Sequence, residues 1–201
     1  MLNGMSDLER YINDDRSDSL LKAALAHYQF ETIHPFLNGN GRIGRMLITL
    51  MLLSEGEIDN PVLYMSLFLK GNRVEYYDRL SEVRKNGDYE QWVRFFLSGV
   101  SATCREGIDE IGKISNLIEE DTRKTLKMRP NTRKVFGYLK EHPIIDIKTT
   151  AEALGLSFNT VSSALGQLSD LGIAEKTGPE KRGRLYSYSK YVKILKAGTQ
   201  P

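Results

Sequence analysis

The sequence predicts a mainly α-helical fold, with a helical bundle followed by a small α+β domain. Helix-like stretches run through the first part, and from Ile108 to Met128 the apolar residues recur at three- and four-residue steps, which is the spacing of one face of a helix. Beyond this point two short stretches, 173–176 and 185–188, alternate in the manner of strands. Arg129-Pro130-Asn131 separates the two parts, because the residue before a proline disfavours helix.

The composition is that of an ordinary soluble globular protein. The chain has 201 residues, of which 40% are hydrophobic and 27% charged, with a net charge of +2. This charge gives no global attraction to nucleic acid, so such binding needs a local patch. One cysteine, Cys104, excludes an internal disulfide. No signal-peptide pattern opens the chain, and its longest apolar run is too short to span a bilayer, so we expect a cytoplasmic protein with no membrane partner.

Two helices are expected before residue 34. Ser6 is followed three residues later by Glu9, a pattern typical of a capping box, which predicts a first helix over residues 6–12. A polar connection follows, and a second helix is predicted over residues 19–33. The apolar positions of this second helix are Leu21, Leu25 and Tyr28.

The stretch from His34 to Arg45 is the main candidate for a functional site. A loop rich in glycine and asparagine can turn successive N–H groups toward one point, and before a helix start these donors form an anion site. Arg42 and Arg45 are three residues apart and share a helix face, so both can reach the same anion, for which a polyphosphate is the natural candidate. His34 stands where a base could act on a group that attacks the phosphate. The next residues, 46–53, are apolar on nearly every side and predict a helix buried all round.

Each feature of this stretch also has an ordinary explanation. A histidine before a proline is usually a loop residue, Asn-Gly pairs usually mark turns, and arginines three apart usually form a solvated face. Their coincidence within so few residues is what favours a functional interpretation.

The rest of the first part is predicted to be helical. We expect a short helix or extended segment over residues 63–70, a helix over 73–85 that ends at Asn86-Gly87, and a helix that follows Asp88. His27 is interpreted as structural. A separate amphipathic helix over 108–128 would link the two halves or pack against a partner.

The stretch after the second helix resembles the signature of the Fic family, His-x-Phe-x-(Asp/Glu)-Gly-Asn-Gly-Arg-x-x-Arg. The resemblance continues upstream through residues 26–33 and downstream through 72–77 and 87–97. It implies a Fic-like core over residues 1–107, a linker helix over 108–129 and a separate domain over 130–201. The matching positions are His34, Phe36, Gly39, Asn40, Gly41, Arg42 and Arg45.

The Fic resemblance implies transfer of AMP from ATP to a hydroxyl side chain of a target protein. His34 would then be the general base. Arg42 and Arg45 would neutralise the β and γ phosphates, and Phe36 would anchor the loop in the core. Tyr77 would pack near the adenine with Tyr76 in the core, although both tyrosines could equally be core residues. The residues that would cradle the phosphates are Gly39, Asn40 and Gly41.

The chain departs from the Fic pattern in three respects. Asn38 stands where the family usually carries an acid that holds Mg²⁺, and an amide oxygen brings no charge to the metal, so we expect weakened Mg²⁺ binding and slower transfer. The chain starts after the position of the family's β-hairpin flap, which suggests a truncated product or a fragment. It also lacks the inhibitory motif (Ser/Thr)-x-x-x-Glu-(Gly/Asn).

The second part is similar to the winged helix-turn-helix domains of bacterial regulators. Helices are expected over 132–141 and 148–154, a strand over 145–147, and a third helix with Ser157 as its N-cap, followed by a basic hairpin. In such a fold, the third helix would face a DNA major groove and the hairpin would contact phosphates. The groove-facing residues would be Asn159, Thr160, Ser163 and Gln167, and the phosphate-facing residues Lys181, Arg182 and Arg184.

Three functions remain open from the sequence. The first is an ATP-dependent protein adenylyltransferase. The second is a DNA-binding regulator whose Fic half senses a nucleotide. The third is an interaction module with a vestigial site, because winged helices are often reused for protein docking or dimerisation and the expected recognition helix carries no lysine or arginine. A homodimer is also left open.

Overall fold

A computed structural model describes residues 2–14, 16–177 and 185–197. These residues are mainly α-helical with a small antiparallel sheet, as the sequence predicts. The chain divides into two compact units between Ile108 and Asp109. No helix among the described residues is both long and apolar enough to cross a membrane.

The first unit is built from helices around one apolar core. Helix α2 packs against both α1 and α3. Trp92 lies at the centre of this core, fully buried, and its indole N–H donates a hydrogen bond to the Ala24 carbonyl at 2.9 Å. The helices are α1 (Leu2–Asp14), α2 (Ser19–Ile33), α3 (Asn40–Ser54), α4 (Met65–Gly71), α5 (Arg73–Asn86) and α6 (Tyr89–Thr125), the last of which continues into the second unit.

Helix α2 has the bounds that the sequence predicts, and local chemistry explains both ends. The Asp18 side chain caps its start by accepting the backbone N–H groups of Leu20 and Leu21. Its end is closed by His34, whose N–H donates to the Phe30 carbonyl. Because α2 carries the residues that lead into the glycine-rich loop, its fixed end sets where that loop begins.

Two predictions about neighbouring helices are wrong. Helix α1 begins at Leu2, so Ser6 lies inside the helix and is not its cap; Met5 packs against the core, and this contact favours the longer helix. Helix α3 is not buried all round. Ile48 and Leu52 are buried, but Met46 and Leu50 are more than half exposed, because the described helices cover only one side of α3.

The two helices predicted after Asp88 and from Ile108 form one continuous helix, α6, of 37 residues. No proline lies between them to interrupt it. Gly99 is retained inside this helix for a packing reason, since a Cβ there would lie 2.5 Å from the Phe68 ring. Residues 109–125, expected in a linker, lie with the second compact unit.

The second unit combines helices with a sheet of strand order β1-β3-β2. Both strand pairs are antiparallel, with Tyr186 opposite Ile145 on one side and Lys176 on the other. Helix α10 was not foreseen from the sequence. The elements after α6 are α7 (Pro130–Glu141), β1 (Ile144–Asp146), α8 (Ile147–Leu154), α9 (Phe158–Asp170), β2 (Glu175–Thr177), β3 (Leu185–Ser187) and α10 (Ser189–Ala197).

Local caps and a buried polar contact define the second unit. Asp146 and Ser157 cap α8 and α9, the latter as predicted. Asp121 is fully buried, and its carboxylate accepts hydrogen bonds from the Tyr188 hydroxyl and from the Lys124 ammonium, each at 2.8 Å. The predicted apolar stripes of α7 and α9 are buried: Val135, Phe136, Leu139, Val161, Leu165 and Leu168.

Candidate functional site

The candidate site starts where α2 ends. His34 adopts the left-handed conformation at φ 49°, and it is the one non-glycine residue with positive φ among the described residues. Such a conformation is uncommon outside glycine and needs support from its surroundings. Pro35 follows and cannot continue the helix. The His34 side chain is exposed, so the predicted base can reach another molecule.

The loop between α2 and α3 is braced by the side chain of Asn40. Its Oδ1 accepts the Phe36 backbone N–H at 2.9 Å, and its Nδ2 donates to the Phe36 carbonyl. Asn40 is itself buried. The amide is therefore engaged inside the loop, which leaves the backbone N–H of Asn40 as its group for an anion.

Phe36 does not anchor the loop in the core, so this implication of the resemblance is wrong. Its side chain is 46% exposed, and its ring lies 6.4 Å from that of Phe30. The neighbouring Leu37 is fully exposed. The polar contacts of Asn40 hold the loop, and an apolar anchor is therefore not required.

Helix α3 begins in a geometry suited to an anion. Gly39 is its N-cap at φ 88°, a conformation that favours glycine, and no side chain caps this start. The N–H groups of Arg42 and Ile43 bond to the Gly39 carbonyl at 3.0 and 3.1 Å. The N–H groups of Asn40 and Gly41 precede them in the first turn, where a helix offers no internal acceptor. They point, with the positive end of the helix dipole, toward the loop.

Arg42 and Arg45 line a cavity of about 270 Å³ beside this helix start. Arg42 is exposed, whereas Arg45 is half-buried and its Nε donates to the Ser66 hydroxyl at 3.0 Å. The cavity-lining residues include two arginines and no carboxylate, so its electrostatics favour an anionic ligand. The other lining residues are Met46, Thr49, Pro61, Leu63, Tyr64, Met65 and Ser66.

Asn38 lies at the exposed surface of the loop. Among the residues that the structure describes, no three histidine, cysteine, aspartate or glutamate side chains lie close enough together to hold a metal ion. The Asn38 amide oxygen brings no charge, so a divalent ion beside it would depend chiefly on oxygens brought by a ligand.

The two adjacent tyrosines occupy different environments. Tyr76 is buried in the core, whereas Tyr77 is 52% exposed. The Arg73 guanidinium lies 5.7 Å from the centre of the Tyr77 ring. The alternative that both are core residues is therefore wrong for Tyr77, which is half exposed.

His27 is fully buried between α2 and α3, in keeping with its structural interpretation. Its Nδ1 lies 2.9 Å from the Gly44 carbonyl and must carry the proton, so its Nε2 accepts the Tyr76 hydroxyl at 3.1 Å. Burial lowers the pKa of His27 to about 4, although the hydrogen bond to Gly44 opposes this shift. The ring is therefore neutral at pH 7, and it ties α2 to α3 and α5.

Sequence reasoning missed two residues of this site, Glu31 and Ser66. Glu31 lies one turn before His34 on α2, and its Oε1 is buried without a hydrogen-bond partner among the described residues. Burial raises the pKa of the Glu31 carboxyl, while the nearby His34, Arg45 and Arg84 lower it. Helical spacing from His34 could have identified Glu31. Ser66 lies on a distant element and carries no comparable local signal.

The residues predicted to face DNA do not form one free surface in the structure. Asn159 and Ser163 are exposed on α9. The Thr160 hydroxyl is hydrogen-bonded to that of Ser157, and the Gln167 side chain accepts the Thr132 hydroxyl at 2.9 Å. The three basic residues predicted to contact phosphates lie outside the described residues; they are Lys181, Arg182 and Arg184.

The chain is similar in sequence to known proteins. Residues 1–52 match the Fic/DOC family model. The chain is 38% identical to the protein adenylyltransferase Fic of Drosophila grimshawi over 105 residues, which is 51% of this chain and 19% of the relative. It is 28% identical to the protein adenylyltransferase fic-1 of Caenorhabditis briggsae over 145 residues, which is 66% of this chain and 27% of the relative.

A solved structure shares the fold. A Fic family protein from Desulfovibrio desulfuricans G20 superposes with a TM-score of 0.53 and 22% identity, covering 92% of this chain and 54% of that one. The chain spans less than a third of the length of the two curated relatives above.

Proposed function

We propose that this chain is a cytoplasmic protein adenylyltransferase that moves AMP from ATP to a hydroxyl side chain of a target protein. The observation that carries the proposal is the uncapped start of α3, with Arg42 and Arg45 beside it and the exposed His34 at the end of the preceding helix. The named relatives, which are protein adenylyltransferases, support the same reaction class.

The proposed roles follow from charge and position. The backbone N–H groups of Gly39, Asn40 and Gly41 bind the phosphates of ATP at the positive end of the helix. Arg42 and Arg45 neutralise the β and γ phosphates. Tyr77, which is half exposed, packs near the adenine in this proposal.

In the proposed transfer, His34 takes the proton of the target hydroxyl as its oxygen attacks the α-phosphorus. A new P–O bond forms to the target, the bond between the α-phosphorus and the bridging oxygen breaks, and pyrophosphate leaves. The arginines stabilise the negative charge that gathers on this leaving group. Each protein group then acts without leaving its place in the fold.

Mg²⁺ would assist this reaction by neutralising phosphate charge. Asn38 is exposed and its amide oxygen carries no charge, so it would contribute weakly to a metal site and the ion would rest chiefly on ATP oxygens. In this proposal, Asn38 therefore slows transfer.

ATP titration with and without Mg²⁺, on this chain and on Asn38→Asp, tests the nucleotide site. Binding by both chains, with stronger Mg²⁺ dependence in Asn38→Asp, is the expected result. Equal Mg²⁺ dependence would mean that the amide suffices as a ligand, and binding by neither chain would overturn the proposal. Transfer is tested by labelling of a target protein with ATP labelled at the α-phosphate. His34→Ala should abolish labelling and leave ATP binding intact.

A second candidate function is suggested by the order of elements in the second unit. In chain order, α7 is followed by β1, then by α8 and α9, and then by β2 and β3, and the three strands form a small sheet. Asn159 and Ser163 are exposed on α9. We propose that residues 130–201 form a winged helix-turn-helix domain, joined by residues 108–129 to the catalytic core over 1–107. This domain would bind duplex DNA, or dock a protein or a second copy of the chain.

Binding to duplex DNA separates these alternatives for the second unit. Salt-sensitive binding that is lost on Arg182→Ala with Arg184→Ala would support DNA recognition. Retained binding in this variant would mean that DNA is contacted without these two arginines. No binding by the parent chain would favour docking or dimerisation, which sedimentation of the chain alone would then resolve.

A further inference from the structure

Helix α4 places the Ser66 hydroxyl beside the Arg45 guanidinium. Arg45 Nε donates to Ser66 Oγ at 3.0 Å, and both residues line the cavity at the start of α3. No ion pair of Arg45 is described within the part of the chain that the structure covers. The polar side chain described in contact with Arg45 is thus a neutral hydroxyl, which leaves the positive charge of the guanidinium available to an anion.

One face of α3 is hydrogen-bonded to the chain at the start of α4. Gly41, Arg45 and Thr49 are four residues apart, and such positions lie on the same side of a helix. The Thr49 hydroxyl donates to the Leu63 carbonyl at 3.2 Å, one turn beyond the contact between Arg45 and Ser66. Two hydrogen bonds therefore join this face of α3 to the chain that carries Ser66.

The backbone on either side of Ser66 is anchored by buried neighbours. Leu63, Met65 and Leu69 are each at most 5% exposed and belong to the apolar core of the first unit. Ser66 itself is exposed, at the second position of α4. Its hydroxyl is therefore presented from a well-anchored backbone, and replacing this exposed serine with alanine leaves no cavity in the core.

The bond to Ser66 decides which nitrogens of Arg45 remain for a ligand. A guanidinium donates hydrogen bonds from Nε and from both Nη groups. The Nε–H is engaged by Ser66, so the Nη groups are left for a phosphate. A Cβ built on Gly41 would lie 3.1 Å from Arg45 Nη1, so the absence of a side chain at Gly41 lets the guanidinium lie against the first turn of α3.

Arg42, the other arginine of the cavity, is held differently. It is exposed, and no ion pair or side-chain hydrogen bond is described for it among these residues. Arg45 is half-buried and bonded to Ser66. Ordering a long side chain costs conformational entropy, and a side chain that is already ordered in the folded protein loses less of it on binding. Binding an anion therefore costs less ordering at Arg45 than at Arg42.

We propose that Ser66 is a positioning residue, whose hydroxyl holds the Arg45 guanidinium at the start of α3 and leaves its Nη groups for a phosphate. The inference rests on the proposed function for the identity of the anion. Ser66 acts through Arg45 and does not itself need to touch the nucleotide. Without its hydroxyl, Arg45 would sample other rotamers and would have to be ordered when the ligand binds.

The test is a double-mutant cycle on the full chain, with calorimetric titration of ATP. We expect Ser66→Ala to weaken binding about three- to tenfold, both alone and with Arg42→Met, and to cause no further loss with Arg45→Met. Ser66→Thr keeps the hydroxyl and should bind ATP within about twofold of the parent chain. Arg42→Met is the matched background because it removes an arginine from the same cavity.

Two results of this cycle would overturn the inference. One is an equal loss of affinity from Ser66→Ala in all backgrounds, because the hydroxyl would then act without Arg45. The other is an unchanged affinity of the single variant, because the contact would then contribute nothing to binding.

A measurement without nucleotide keeps the inference separate from the proposed function. In ¹⁵N spectra of arginine side chains, the Arg45 Nε–H should exchange slowly with water, become several-fold faster in Ser66→Ala and stay slow in Ser66→Thr. The Arg42 signal should not change. If ATP binds to no variant, the proposed function fails while this measurement still decides whether Ser66 holds Arg45; unchanged Arg45 exchange in Ser66→Ala would show that it does not.

Discussion

The two compact units begin their central helices in opposite ways. In the second, Asp146 and Ser157 cap α8 and α9 by accepting the N–H groups of Thr149 and Thr160. In the first, α3 starts at Gly39 with no side-chain cap. At a capped helix start, a side chain of the protein accepts a hydrogen bond from a free backbone N–H group. At an uncapped start beside two arginines, these N–H groups remain available to a ligand. The proposed anion site lies at this uncapped start.

The units also differ in how they use buried space. Asp121 in the second unit has two hydrogen-bond donors, while Glu31 Oε1 in the first has none among the described residues. Gly99 in the first unit touches an aromatic ring, whereas Gly166 in α9 faces open space. At Gly99 the first unit depends on close approach between helices, and at Asp121 the second has a buried carboxylate that is hydrogen-bonded.

The largest expected effect is that of Gly99→Ala on the first unit. The new Cβ would meet the Phe68 ring at 2.5 Å, so the free energy of unfolding should fall by about 3 kcal/mol. Gly166→Ala is the matched control in the second unit, and it should be neutral or stabilising by up to about 1 kcal/mol. Denaturant titration followed by circular dichroism measures both. Equal effects of the two variants would mean that close packing at Gly99 contributes no more to stability than the open position at Gly166.

Acid should destabilise the first unit through His27. Its pKa is about 4 in the folded protein and 6.5 in the unfolded chain, so the unfolded state binds more protons between these values. The stabilisation is complete above pH 6.5 and is lost as the pH falls toward 4, which amounts to about 2 kcal/mol between pH 8 and pH 5.

Thermal unfolding across this pH range measures the contribution of His27. His27→Gln should be less stable at pH 8 and should lose this part of the pH dependence. An unchanged pH profile in the variant would show that His27 is not a buried neutral histidine.

Tyr188→Phe should destabilise the second unit by about 1.5 kcal/mol, because the buried Asp121 would lose a hydrogen bond to its carboxylate. Tyr186→Phe, on β3, is the control and should change stability little, since no hydrogen bond of its hydroxyl is described. Chemical denaturation of both variants gives the difference. If Tyr188→Phe left the free energy of unfolding unchanged, the buried Asp121 carboxylate would be satisfied without this contact.

The smallest expected effect is that of the cap of α9. Ser157→Ala should cost about 1 kcal/mol, because the Thr160 N–H loses its acceptor. Ser163→Ala, on the exposed face of the same helix, should cost nothing measurable. Amide exchange at Thr160 should accelerate only in the first variant. Equal exchange in both would show that the start of α9 does not rely on its cap.

Elements with local signals could be predicted from the sequence. The bounds of α2 and the cap at Ser157 follow from side chains within a few residues of each helix end. The start of α1 and the continuity of α6 could not, because they depend on contacts with distant parts of the chain. Gly99 is an example, since its sequence neighbours do not reveal that the Phe68 ring lies against it.

The part of the candidate site that lies in one continuous stretch of the chain could be predicted from the sequence. His34, Gly39, Arg42 and Arg45 lie in twelve consecutive residues, and the structure places them at one helix start. Phe36 was misjudged because the loop is held by Asn40, a polar contact that the motif does not reveal. Ser66 reaches Arg45 from 21 residues away, a separation that no local pattern spans.

Trp92 gives the protein a spectroscopic label of its own. It is the single tryptophan of the chain, fully buried in the first unit, with its ring stacked 6.1 Å from that of His27. Selective excitation of indole emission therefore reports on the first unit alone, while the tyrosines of the second stay silent. The unfolding of the first unit can therefore be followed by itself, without dyes or added labels.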